Sequence, residues 1–256
     1  MRNTLFAFCA AAAALFAQSD GQPHGDPPYL LESGWTPLLT GRDFKGWLPE
    51  RARPSEWIAA HAIYWDPLKS PKALSAIGGP GDRILNGPKG NTANLVTAQK
   101  FGDMELYVEF MVPQGSNSGV YLHGLYEVQV FDSYGKPAVN TTDAGAIYHR
   151  WINEKPVGGS APKVNAARRP GEWQSYQIWF RGPRFDAAGK KTENARFLRV
   201  LHNGVLVQEN VEVDGGTRAH MDIPEAAANP VMLQGDHGPV AYRNIYWRPL
   251  RPIIAP

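Results

Sequence analysis

From Met104 to Phe110 the chain alternates without a break. Met104, Leu106, Val108 and Phe110 share one side, and Asp103, Glu105, Tyr107 and Glu109 share the other. A period of two sends successive side chains to opposite faces of an extended backbone, so this segment predicts a strand with one face in a core. Residues 173–181 predict a second strand, rich in the aromatic side chains that suit a pleated surface. Residues 197–202 and 205–208 flank Asn203-Gly204, a pair that takes up the positive φ angles of a type I′ turn, and so predict a hairpin. Residues 231–234 and 242–248 complete the series. Beyond the first nineteen residues no run of twelve or more repeats with a helical period, and 224–228 allows one short turn. With 26 Gly and 22 Pro punctuating short strands, the pattern predicts an all-β fold, an antiparallel two-sheet jelly-roll sandwich. A chain of 256 residues fits one such domain, placed at 35–250.

The start reads differently. Met1-Arg-Asn leads into an apolar run from Thr4 to Phe16, followed by Ala17-Gln-Ser19, the small-x-small pattern of a cleaved signal peptide over residues 1–19. That run is too short to span a membrane. Its presence predicts a periplasmic or secreted protein. Cys9, the single cysteine, lies inside it, so no disulfide framework is expected in the exported chain. Residues 20–34, rich in Gly, Pro and small polar groups, read as a flexible segment, and 251–256 as a tail. The 26 Lys and Arg nearly balance the 24 Asp and Glu, with no basic cluster, which argues against a nucleic-acid partner.

The most informative chemistry is the series Glu127, Gln129 and Asp132 within the run Tyr126-Glu-Val-Gln-Val-Phe-Asp132. Glu127 and Gln129 share a face, and Asp132 would join them if a β-bulge intervened. That spacing resembles the carboxylate strand of laminarinase-type glycosidases, in which a nucleophile and a proton donor flank one glycosidic bond. Here the middle acid is an amide and the last is one methylene shorter, which weakens a two-carboxylate hydrolysis. A polar ladder on a solvated sheet face is the plain alternative.

Taken in order, several strings resemble the 3-keto-disaccharide hydrolase domain family: Trp35-Thr-Pro-Leu-Leu, Phe101-Gly-Asp-Met-Glu-Leu, Asn117-Ser-Gly-Val-Tyr-Leu122 and Tyr126-Glu-Val-Gln-Val-Phe-Asp-Ser-Tyr134. Gly145-Ala-Ile-Tyr148, Gly171-Glu-Trp-Gln174, Leu201-His-Asn-Gly-Val205, Asp236-His-Gly238 and Tyr242-Arg-Asn-Ile245 continue the series. The resemblance implies a concanavalin A-like jelly roll acting on glycosides already oxidised to a ketone at C3. It also implies a functional link to a separate sugar 3-oxidoreductase that makes the ketone. Such a ketone acidifies the C2 proton, so a base at C2, a donor for the enolate oxygen and an acid for the leaving group suffice for elimination.

Candidates for these parts follow from the resemblance. His149 would be the base, with Glu127, Asp132 and His237 as further catalytic groups. Gln129, His123, Lys163, Asn165, Asp236 and Arg243 would contact the sugar or its enolate. His123 and Leu125 stand where relatives often carry arginine. Trp47, Trp151 and Trp247 are either stacking platforms or core. No Gly-x-Gly-x-x-Gly unit supports a nicotinamide site, while a divalent cation held by loop carboxylates stays open. Two rivals stand beside the elimination reading: a non-catalytic carbohydrate-binding module and a conventional two-carboxylate hydrolase.

Overall fold

The computed structural model describes residues 27–39, 43–52, 54–79 and 81–252. The predicted signal peptide at 1–19 lies outside the described residues, as do 20–26 and 253–256. Two antiparallel sheets face each other. The larger has eight strands, running Val205–Val213, Ala195–His202, Gln174–Arg181, Met104–Met111, Ala241–Pro249, Arg83–Leu85 and Ile58–Ala60, with Thr36–Pro37 also paired to Ala241–Pro249. The smaller has five, in the order Tyr126–Phe131, Asn117–Leu122, Asn229–Leu233, Leu95–Phe101 and Trp47–Pro49. The fold is therefore the expected sandwich. Asn203 and Gly204 join two strands at φ 52° and 78°, the turn that the Asn-Gly pair predicts.

Alternation along each strand fills the space between the sheets. Met104, Leu106, Val108 and Phe110 meet Val120, Leu122, Val128 and Val130 in one apolar cluster, all fully or nearly fully buried. Trp47 belongs to this core, and Trp247 packs against it. The outer face of the larger sheet is covered as well, which the alternation alone does not reveal. Glu105 pairs with Arg248 there, and Glu109 accepts bonds from Arg243 and Tyr107, so both carboxylates are buried with partners.

Residues 28–31 form a short helix inside the segment expected to be flexible. Tyr29 stacks on Tyr246 at 3.9 Å and meets Tyr107 edge-on, while Glu32 reaches Arg248. This part of the segment is docked, because two tyrosines on the sheet give it apolar surface that its own composition lacks. Among the described residues no helix is long and apolar enough to cross a membrane.

Candidate active site

The site lies on the outer face of the smaller sheet. Asn117–Leu122 and Tyr126–Phe131 form a hairpin whose turn closes with a 3.1 Å bond from Leu125 N–H to the Leu122 carbonyl. His123 and Gly124 occupy the turn at φ 56° and 65°. The pairing is regular, so Tyr121 faces Glu127 and Gly119 faces Gln129. Because the side chains alternate, Val120, Val128 and Val130 enter the core and leave Asn117, Tyr121, Glu127 and Gln129 together outside.

Gly119 is needed for its missing side chain. A Cβ at that position would lie 2.4 Å from Oε1 of Glu127 and 2.7 Å from the Tyr121 ring. The two side chains occupy that space instead.

A cavity of about 220 Å³ opens above them, lined also by Tyr148, Arg218, Ala219, Gln234 and His237. Glu127 is buried on its floor, and desolvation pushes its carboxyl up to about 8. Burial therefore favours its protonated form. The Tyr121 hydroxyl stands 2.8 Å from Oε2 of Glu127 and 3.0 Å from the Arg218 carbonyl. One hydroxyl proton cannot serve both acceptors. A protonated Glu127 that donates to Tyr121, which in turn donates to Arg218, satisfies both contacts.

The lining also carries an imidazole. His237 Nδ1 lies 2.5 Å from Oδ1 of Asp236, an acceptor that raises the imidazole pKa and leaves Nε2 to exchange protons. Two further groups offer unused polar atoms: the side-chain carbonyl oxygens of Asn117 and Gln129 are buried without a donor among the described residues. The Arg218 guanidinium, 3.9 Å above the Trp151 ring, pairs with no carboxylate among the described residues.

A side chain from the interior fixes the His237 loop. Asn86 is fully buried, and its amide donates to the carbonyls of Gly235 and Gly238 at 3.0 and 2.8 Å while its oxygen accepts from Val240 N–H. Gly90 packs so closely on Gly238 that a Cβ there would lie 2.0 Å from its carbonyl carbon.

The sequence profile of the 3-keto-alpha-glucoside-1,2-lyase-like domain matches residues 34–248. The chain belongs to this family. The 3-keto-alpha-glucoside-1,2-lyase-like family is carbohydrate-active, of hydrolase and lyase type. A 2.13 Å crystal structure from Parabacteroides distasonis ATCC 8503, provisionally named a glycosyl hydrolase, is 28% identical over 85% of this chain and 84% of its own, with a TM-score of 0.61. A second from the same organism and similarly named, at 1.70 Å, is 16% identical over 85% and 94%, with a TM-score of 0.53, and attests the shared fold alone. No curated protein matches the chain.

The family strings from the two hairpin strands and the Asp236-His237 turn meet in the cavity, but not every candidate comes with them. Glu127, Gln129 and His237 line it, and Asp236 holds His237. Asp132 does not line it. No bulge brings it onto the face of Glu127 and Gln129, and its carboxylate accepts the backbone N–H groups of Gly115 and Tyr134 in a turn beyond the strand. His149 stacks on Tyr148 at 4.2 Å outside the lining, and burial lowers its pKa.

The remaining candidates serve other contacts. His123 turns inward from its left-handed position, edge-on to Phe180 and 3.2 Å from the Gly102 carbonyl. Leu125 joins the core. Lys163 pairs with Glu209, and Asn165 ties its loop to the carbonyls of Ser133 and Lys136. Arg243 binds Glu109 and covers Trp173 on the larger sheet, away from the cavity. Sequence reasoning missed Tyr121, Tyr148, Gln234 and Arg218 as site residues. Tyr121 was recoverable from the hairpin, since a tight turn at 123–125 sets it opposite Glu127, whereas Arg218 sits in a loop with no motif. Among the described residues no three His, Cys, Asp or Glu side chains gather in a metal-binding set.

Proposed function

We propose that the protein cleaves 3-keto-glycosides by elimination, with His237 as base, Arg218 as enolate partner and Glu127 as acid. His237 Nε2 takes the C2 proton, and the electron pair moves toward the C3 oxygen beside the guanidinium. The enolate then expels the C1 oxygen, which receives the Glu127 proton. The products are an unsaturated 3-keto sugar and the free leaving group. Later addition of water across the new double bond would give net hydrolysis and return the borrowed protons to balance.

One observation carries this reading. Glu127 is the single carboxyl group among the described residues lining the cavity, and the lining it shares includes the imidazole of a His–Asp pair rather than a second carboxylate. A two-carboxylate hydrolase needs an acid and a nucleophile or base on opposite sides of one bond. Neutral Glu127 is suited to give a proton, and the family's description as 1,2-lyase-like agrees with chemistry at C1 and C2. The unpaired oxygens of Asn117 and Gln129 supply acceptors for sugar hydroxyls.

Purified protein should release the leaving group from a 3-keto-glucoside and leave the parent glucoside intact. Cleavage of the parent at a comparable rate would overturn elimination in favour of hydrolysis. Binding of sugar with no cleavage of either would leave a carbohydrate-binding module.

A further inference from the structure

Beside the cavity runs a second recess of about 270 Å³, between the Arg150–Ile152 strand of a two-stranded ribbon and the loop at 216–220. Trp151, Ile152, Gly216 and His220 line it, and it shares Arg218 and Ala219 with the candidate site. We propose that this recess is the leaving-group subsite and that it selects glycosides whose leaving group is a ring with a flat apolar face, with Trp151 as the platform. The assignment of the recess to a leaving group rests on the elimination reading above.

Trp151 is the one exposed tryptophan of eight, at 45% exposure. Tryptophans elsewhere in the sandwich fill cores or cover the sheets, so an exposed indole at the mouth of a sugar-sized cavity stands apart. Its neighbours extend the surface. The Arg218 guanidinium carbon lies over one face of the ring, 3.9 Å from its centroid, so a ligand ring meets the exposed remainder of the indole, and the guanidinium charge meets no carboxylate among the described residues. Gly216 and Ala219 contribute little side-chain bulk to the floor.

The two walls are fastened to each other before any ligand arrives. Arg218 N–H donates to the His149 carbonyl at 2.9 Å, and Arg150 pairs with Asp214 at 3.0 Å. The platform therefore does not need to be ordered on binding, which favours affinity. His149 gives an independent sign of a missing partner. It is 5% exposed, both ring nitrogens lack a partner, and it sits between Tyr148 of the candidate site and Trp151 of the recess. A buried ring nitrogen without a partner calls for a hydroxyl or a water.

The test compares three 3-keto-glucosides, carrying methyl, glucosyl and phenyl leaving groups, on the wild-type protein and on Trp151→Ala, Trp151→Gln and Trp151→Phe. The methyl compound cannot reach the recess and serves as the reference. For at least one ring-bearing substrate, Ala and Gln should lower kcat/KM about tenfold relative to methyl, and Phe should restore most of it. Loss on glucosyl alone identifies a sugar ring, and loss on phenyl an aryl group. Equal effects on all three substrates, or none, would overturn the subsite. Calorimetric titration with the unoxidised disaccharide and phenyl glucoside separates the two readings. If nothing is cleaved but binding depends on Trp151, the platform stands and elimination falls. If neither cleavage nor Trp151-dependent binding occurs, both fall. Two truncating variants with matched melting temperatures exclude a folding defect.

Discussion

Tyr121 and Glu127 face each other across adjacent strands, and their 2.8 Å contact is the centre of the site. Tyr121 also reaches the Arg218 carbonyl, so the carboxyl, the phenol and the loop that carries the guanidinium form one chain of hydrogen bonds. Protonating Glu127 gives every member of that chain a direction.

The pH dependence of kcat/KM should be bell-shaped. His237 must be neutral to take a proton, so the rate rises through its pKa, which Asp236 holds above the usual imidazole value. Glu127 must be protonated to donate, so the rate falls as pH passes about 8. Asp236→Asn should shift the acidic limb to lower pH. Glu127→Gln should remove the alkaline limb and cost about 10² to 10⁴ in rate on a sugar leaving group, with a much smaller loss on a nitrophenolate that departs without a proton. An unchanged profile in both variants would refute these roles.

Stability should respond to the same carboxyl. Its folded pKa near 8 lies above the ordinary 4.5, so its favourable contribution is complete below about 4.5 and is lost as pH rises toward 8. At about 1.4 kcal/mol for each pH unit, the wild type forfeits a few kcal/mol across that interval. Thermal melts of wild type and Glu127→Gln should therefore diverge as pH rises from 5 to 9, with the variant the more stable at pH 9. Parallel curves would mean that Glu127 is not held neutral.

Gly119→Ala tests the space rather than the backbone, since the clash is with Glu127 and Tyr121. Overpacking at this spot should cost about 1–3 kcal/mol in a denaturant melt and displace the carboxyl enough to lower kcat. Full activity and stability would show that the hairpin can relax around the added methyl.

Asn86→Ala leaves two carbonyls and the Val240 N–H without their partner in the interior. A loss of about 2–4 kcal/mol is expected, with a fall in kcat that exceeds the change in KM, because His237 is misplaced while the sugar contacts persist. A variant that is destabilised but keeps its kcat would confine Asn86 to a scaffold role.

Particular residues show what the sequence could express. Met104 to Phe110 announced a strand through alternation, and Asn203-Gly204 announced its hairpin through turn chemistry, since both are local rules. Glu127 and Gln129 were legible because they break an apolar strand on one face. Asp132 was misjudged because nothing in the spacing separates a bulge from a strand end, and backbone N–H groups of Gly115 and Tyr134 settle the matter in three dimensions. His123 carries an imidazole that suits catalysis, yet its position in a left-handed turn aims it into the core. Arg218 and Asn86 act across the fold from loops, where neither period nor motif marks them. The docking of residues 28–31 likewise depends on Tyr246, more than two hundred residues along the chain.

The Asn86 clamp also sets an order of events. It joins residues 149 to 154 positions apart, and the strand that follows the His237 loop, Ala241–Pro249, lies between Met104–Met111 and Arg83–Leu85 in the larger sheet. Contacts of such long range carry the greatest loop-closure cost and form late. Glu127 and Tyr121 can meet early within one hairpin, but the His237 loop waits until the sandwich has closed. On the proposed roles, a half-folded chain would therefore hold the acid without the base.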